Sequence, residues 1–262
     1  MIIFIGLGLF DEKDITVNGV EEARSCDILF AEFYTSKLIG ATRESVESLI
    51  GKEIRVLGRE DVEKGDIILE AAKSKRVGLL IGGDPMTATT HVDLRLRAKK
   101  MGIPTRIVYG VSILTAAAGL VGLQSYKFGR TTSLPFPQEK FFPTSPYEVI
   151  HENRMMGLHT LILLDIGEDG REMGAEEALD YLLEMEEKEQ KKAFIEDTIV
   201  CVVSEVGSPD AVARCDSVGK LLGMGHGEPL HCLIIPADLH FMEKEALIAF
   251  AGAPEDVDER MR

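Results

Sequence analysis

GLLIGGDPMTATTH, running from Gly78 to His91, decides how the rest of this chain is read. Val77 to Ile81 is a run of apolar or small residues, and Gly82-Gly83-Asp84-Pro85 and a cluster of threonines follow at once. That order predicts a buried strand emptying into a tight loop. Glycine has no Cβ, so it takes φ > 0 freely and lets backbone groups approach a ligand. Pro85 fixes the next φ and biases Asp84 towards an extended conformation. A strand that ends this way delivers polar groups to the carboxyl edge of an open α/β sheet, where ligands of such sheets bind. The same spacing also fits an ordinary strand-to-helix turn with a capping aspartate, so the choice rests on the rest of the chain.

Upstream, Ile2 to Ile5 reads as a first strand with Gly6-Leu7-Gly8-Leu9 as its exit, and Thr16 caps a helix through Val17, Val20 and Ala23. The Gly-x-Gly lacks the third glycine of a dinucleotide fingerprint, which discounts a Rossmann dehydrogenase. Cys26 to Phe33 predicts a second strand with the polar exit Tyr34-Thr35-Ser36. A helix from Thr42 to Ile50 stops at Gly51, a short strand spans Glu53 to Leu57, and a helix spans Asp66 to Lys75. Downstream, a helix from His91 to Lys100 carries Arg95, Arg97, Lys99 and Lys100 on a solvated face, and Pro104 to Tyr109 is the next strand. Gly110-Val111-Ser112-Ile113 then leads into an alanine-rich helix that Ser112 can cap. Strand and helix in this alternation predict βαβ units and a mostly parallel sheet. Three glycine-bearing exits can converge on one sheet edge, which favours a ligand site there.

Pro135, Pro137, Pro143 and Pro146 bracket Phe136, Phe141 and Phe142, a proline density that no continuous helix or central strand accepts. The expected organisation is an α/β domain over 1–132, a linker over 133–145 and a second α/β domain over 146–262. In the second half we expect a helix from Pro146 to Met156, strands at His159 to Ile166, Asp197 to Ser204 and Pro229 to Pro236, and helices at Ala175 to Lys192 and Ala237 to Gly252.

Composition narrows the function classes. The 262 residues carry 45% hydrophobic and 28% charged side chains, enough to bury a core. A net charge of -15 argues against a broad nucleic-acid or anionic-membrane surface. Cys26, Cys201, Cys215 and Cys232 form no CxxC pair and read as small core residues of a reducing compartment. The six histidines lack metal-ligand spacing, so no metal is expected. The chain opens directly on a strand without a basic leader and has no long apolar run, which we read as cytoplasmic.

Gly6-Leu7-Gly8-Leu9 with Asp14, Gly82-Gly83-Asp84-Pro85, and Gly110-Val111-Ser112-Ile113 ahead of an alanine-rich helix together resemble the tetrapyrrole methylase superfamily. The resemblance covers essentially the whole chain. It implies two α/β domains with S-adenosylmethionine folded into the cleft between them. AEFYTS (31–36), GDPMTATTH (83–91), YKFG (126–129), FPTSPYEVI (142–150), GLHTLILLDI (157–166) and IAFAGAP (248–254) resemble the branch that acts on translation elongation factor 2. Its members methylate the amino group of a 3-carboxy-3-aminopropyl histidine and form homodimers. Carried over position by position, the cofactor contacts implied are Leu9, Asp84, Thr87, Ser112 and Ile113, then Leu163, Val206 and His231. GGDP stands where related sequences often have PGDP, which leaves a backbone contact intact.

A sulfonium donor is already activated, so holding it in line with its acceptor supplies much of the catalysis. The acceptor amine must be unprotonated, which allows a general base without requiring one. Asp84, His91, Asp165 and Tyr34 are the candidates, the first three with structural alternatives as a loop brace, a helix-start residue and a strand-end cap, and no catalytic residue is singled out. Two other readings stay open: a precorrin-type methyltransferase on the same fold, and a non-catalytic nucleotide-binding module.

Overall fold

A computed structural model describes residues 1–138, 142–167 and 169–260, and Phe141 of the expected linker lies outside them. Contacts divide the chain into two units, Met1–Ile113 and Leu114–Arg262. This division falls ahead of the Pro- and Phe-rich stretch at 133–145. The reason is local: Gln124 and Lys127 are bonded to Glu243, which ties their segment to the second unit.

The first unit contains β1 (Ile2–Gly6), α1 (Val17–Ser25), β2 (Ile28–Glu32), α2 (Arg43–Ile50) and β3 (Ile54–Val56). It continues with α3 (Arg59–Lys64), α4 (Asp66–Ala72), β4 (Val77–Ile81), α5 (His91–Lys100) and β5 (Thr105–Val108). Its strands are all parallel, in the order β3-β2-β4-β1-β5. Helices cover both faces, which is why IIFI is apolar at every position rather than alternating. Ile2 and Phe4 join the core under α3, α4 and α5, whereas Ile3 and Ile5 join the one under α1 and α2. Each such buried side chain contributes about 1.5–3 kcal/mol. Thr16 caps α1 by accepting from the Gly19 amide at 3.0 Å. Thr42 and Ser45 cap α2 reciprocally, and Gly51 ends it in the left-handed region. The short α3 lies where no helix is expected, because REDVEK buries only Val62 and its Gly58 N-cap offers no side chain.

α6 (Ile113–Val121) leads into the second unit, followed by β6 (Thr132–Leu134), α7 (Ser145–Met155), β7 (Thr160–Leu164), α8 (Ala175–Glu189) and β8 (Ile199–Ser204). Then come β9 (Val212–Ser217), α9 (Val218–Leu221), β10 (His231–Ile235), α10 (Phe241–Ala251) and α11 (Val257–Arg260). Its sheet runs β6-β7-β10-β8-β9, with β6 parallel to β7 and the remaining pairs antiparallel. In this unit parallel pairing is therefore limited to β6 and β7, and the mostly parallel sheet is found only in the first unit. The loop between β8 and β9 is too short for a crossover and permits only an antiparallel neighbour. One core cluster joins β7, β8 and β10 to Tyr147 and Ile150 of α7 and to Leu179 and Leu182 of α8.

A polar knot closes this unit. Glu243, fully buried, accepts from Lys127 Nζ, from the amides of Gln124 and His240 at 2.9 Å each, and from His159 Nε2 at 3.1 Å. His159 Nδ1 accepts from the Ala237 amide at 2.9 Å, so the ring proton sits on Nε2. Burial opposes the charge of Glu243, yet Lys127, the two amides and His159 together draw its pKa down to about 2.

Candidate functional site

In the first unit the exits of β1, β4 and β5 touch through their glycines. A Cβ on Gly6 would lie 2.6 Å from both the Gly110 nitrogen and the Gly83 oxygen. Only backbone without side chains fits at this junction. Gly8 and Gly83, both at positive φ, form a bridge in which the Gly83 amide donates to the Gly8 oxygen at 2.7 Å.

The candidate residues hang from this junction. Asp14 Oδ2 accepts from the amides of Leu9 and Phe10 at 3.1 and 2.7 Å and so fixes the backbone at Leu9. Asp84 Oδ1 accepts from the Met86 amide at 2.9 Å, and the Thr87 hydroxyl lies 3.5 Å from the same oxygen and 3.3 Å from Ser112 Oγ. Ile113 opens α6 next to Ser112. Leu9, Asp84, Thr87, Ser112 and Ile113 thus belong to one connected edge. Ala88, with φ of 51°, holds a left-handed conformation in the same loop. Such strain costs on the order of 1 kcal/mol and collects at functional loops.

In the second unit the sheet register sets Leu163 opposite Cys232, and His231 opposite Ser204 at the end of β8. Val206 follows two residues later, so Leu163, Val206 and His231 share one end of that sheet. His231 Nε2 donates to the His226 carbonyl at 3.2 Å, which leaves Nδ1 an acceptor with no partner. Burial holds this imidazole below the ordinary histidine value and hence neutral near pH 7. Glu205, φ 52°, is the strained residue of this exit.

Among the four candidate bases, Asp84 and Asp165 have structural work: Asp84 binds the Met86 amide, and Asp165 Oδ2 accepts from the Phe136 amide at 3.2 Å. His91 places Nδ1 2.9 Å from the Pro85 carbonyl, while its Nε2 has no partner. That Nε2 lies 3.8 Å from Oε1 of Glu32, which is fully buried and raised above the usual carboxylate range by burial. The Tyr34 hydroxyl is buried without a partner, and the Arg59 guanidinium lies 5.3 Å over the Tyr34 ring. Glu32 and Arg59 escaped the sequence reading. A lone charge inside the apolar run ILFAEF was the available signal for Glu32, since unpaired buried carboxylates are rare; Arg59 sits on the unanticipated α3.

A fold of two α/β units with glycine-built sheet edges now meets its relatives. The sequence pattern of the Tetrapyrrole (Corrin/Porphyrin) Methylases matches residues 1–218, and the chain belongs to that family. Within it, the chain is 46% identical over 254 residues to the diphthine synthase of Methanocella arvoryzae, covering 96% of this chain and 98% of the relative. The diphthine synthase of Methanothermobacter thermautotrophicus is 45% identical, covering 100% and 99%. A crystal structure of a diphthine synthase superposes with a TM-score of 0.90 at 38% identity over 98% of both chains.

Proposed function

We propose that this S-adenosylmethionine-dependent methyltransferase methylates the amino group of the 3-carboxy-3-aminopropyl histidine of translation elongation factor 2, giving diphthine, a step of diphthamide biosynthesis. The observation that carries this reading is the 46% identity to a diphthine synthase along nearly the full length of both chains.

The residues present suit the cofactor. The bare backbone at Gly6, Gly83 and Gly110 offers close approach, and Asp84, Thr87 and Ser112 line the same edge. In the second unit the unpartnered His231 Nδ1 suits a donor such as a hydroxyl or amine. Leu9, Asp84, Thr87, Ser112, Ile113, Leu163, Val206 and His231 are the proposed binding residues. Bound S-adenosylmethionine supplies an electrophilic methyl group on a sulfonium; the chain holds and orients it, chiefly through backbone on short loops.

By the same resemblance the chain works as a homodimer, and its charge of -15 favours a protein acceptor over nucleic acid or an anionic membrane. No helix among the described residues is long and apolar enough to cross a membrane. The test is mass spectrometry of elongation factor 2 bearing the 3-carboxy-3-aminopropyl histidine after incubation with the chain and S-adenosylmethionine. Methyl-sized gains on that histidine are expected. No gain, with the cofactor bound in a parallel titration, would overturn the acceptor and move a porphyrinoid forward.

A further inference from the structure

Among the buried polar atoms of the first unit that lack a hydrogen-bond partner are Glu32 Oε1, the Tyr34 hydroxyl and His91 Nε2. Native cores hold few buried groups with an unmade hydrogen bond. These three lie close together. Glu32 and His91 are 3.8 Å apart, and Tyr34 follows Glu32 by two residues. All three belong to the carboxyl edge that carries the cofactor loop, because Glu32 is in register with Ile81 and His91 is tied to the Pro85 carbonyl.

Of these three residues, His91 also lines a cavity of about 270 Å³ between α3 and α5, together with Val62, Glu63, Thr90, Asp93, Leu94 and Arg97. That volume sits at the small end of ligand pockets and suits one side chain rather than a whole cofactor. Arg59 stands one turn ahead of Val62 and Glu63 on α3, hence on the same helical face. Its guanidinium is positioned by the Tyr34 ring, and among the described residues no carboxylate lies within ion-pair distance of it. Arg97, by contrast, is engaged by Asp93 at 2.9 Å and by the Glu63 carbonyl at 2.8 Å.

We propose that Tyr34, Arg59 and His91 form a subsite for an amino-acid head group, a carboxylate beside an amine, and that it receives the 3-carboxy-3-aminopropyl arm of the acceptor; this rests on the acceptor assigned above. The open guanidinium fork and the Tyr34 hydroxyl, both donors, match a carboxylate. Burial raises the Tyr34 pKa, so the hydroxyl keeps its proton at neutral pH. With its Nδ1 proton given to Pro85, His91 presents Nε2 as an acceptor for an amine N–H, and Glu32 Oε1 stands behind it as a second acceptor. A purely internal bond between Glu32 and His91 would leave the Tyr34 hydroxyl and Arg59 unexplained.

The probe is free 3-amino-3-carboxypropyl histidine, titrated by calorimetry and by imidazole nitrogen NMR, alongside steady-state kinetics on modified elongation factor 2. The exposed Arg59→Met and the unpaired-hydroxyl variant Tyr34→Phe should both fold, which thermal unfolding checks. The wild-type chain is expected to bind the probe and to shift the His91 Nε2 resonance. Each variant should bind it about tenfold more weakly or worse, raising KM for the protein acceptor while cofactor affinity stays unchanged. Probe binding that depends on Arg59, without methylation of elongation factor 2, keeps the subsite and removes the acceptor assignment. A wild-type chain that binds no probe, or variants that bind and turn over as wild type does, overturns the subsite.

Discussion

Replacing Gly110 by alanine tests whether the convergence of three strand exits builds the cofactor edge. The added methyl group would press on the Gly83 carbonyl oxygen and lie 3.0 Å from the Gly6 carbonyl carbon. Both neighbours are backbone, Gly6 held by the β1–β4 ladder and Gly83 by its bridge to Gly8, so neither can swing aside as a side chain would. Overpacking of this kind costs about 1–3 kcal/mol. At about 2–4 °C per kcal/mol for a domain of 150–250 residues, Tm should fall by roughly 2–12 °C. The strain falls on the bridge between Gly8 and Gly83, so affinity for S-adenosylmethionine should drop by about tenfold or more even at temperatures where the fold is intact. The assay pairs differential scanning calorimetry with isothermal titration of the cofactor. Gly119→Ala, where a Cβ meets nothing within 4 Å, serves as the control and should be neutral or mildly stabilising. A Gly110→Ala chain with wild-type Tm and cofactor affinity within twofold would refute the reasoning.

Asp84→Ala removes the acceptor of the Met86 amide and should weaken cofactor binding by about tenfold, whereas Asp84→Asn keeps that oxygen and should stay near wild type in the same titration. Stability should depend on Glu243 at acid pH. Its folded pKa is about 2 against an ordinary 4.5, so its contribution, about 3 kcal/mol, is present above about pH 4.5 and lost as pH falls towards 2. Urea unfolding followed from pH 6 to 2 should show that acid limb, and Glu243→Gln should flatten it. All four cysteines are buried, and burial pushes the Cys232 thiol up to about 12, so iodoacetamide should label the chain only after unfolding. Native-state labelling of Cys232 would contradict this placement.

Much of the first unit is legible in the sequence because its signals are local. IIFIG and VGLLI are short apolar runs closed by glycine, and both form parallel strands. Thr16, Thr42 and Gly51 carry their capping chemistry in their own side chains or in the absence of one. Resemblance supplied the site residues, and the sequence order of the glycine exits supplied the reason to look for an edge. What the sequence leaves open depends on partners distant along the chain. The antiparallel order β7-β10-β8-β9 is set by the short β8–β9 loop and by β10 slotting between β7 and β8. The helix at Arg59–Lys64 is held by burying Val62, since its own capping signals are weak. Glu32, Arg59 and His91 are ordinary charged or polar letters until folding removes water from two of them and leaves the third an open cation over Tyr34. Periodicity and capping act within a few residues, so the sequence by itself determined the elements and the glycine-built exits. Desolvation and close approach act between segments dozens of residues apart, so the tertiary structure alone decided which exits touch and which polar atoms wait for a partner.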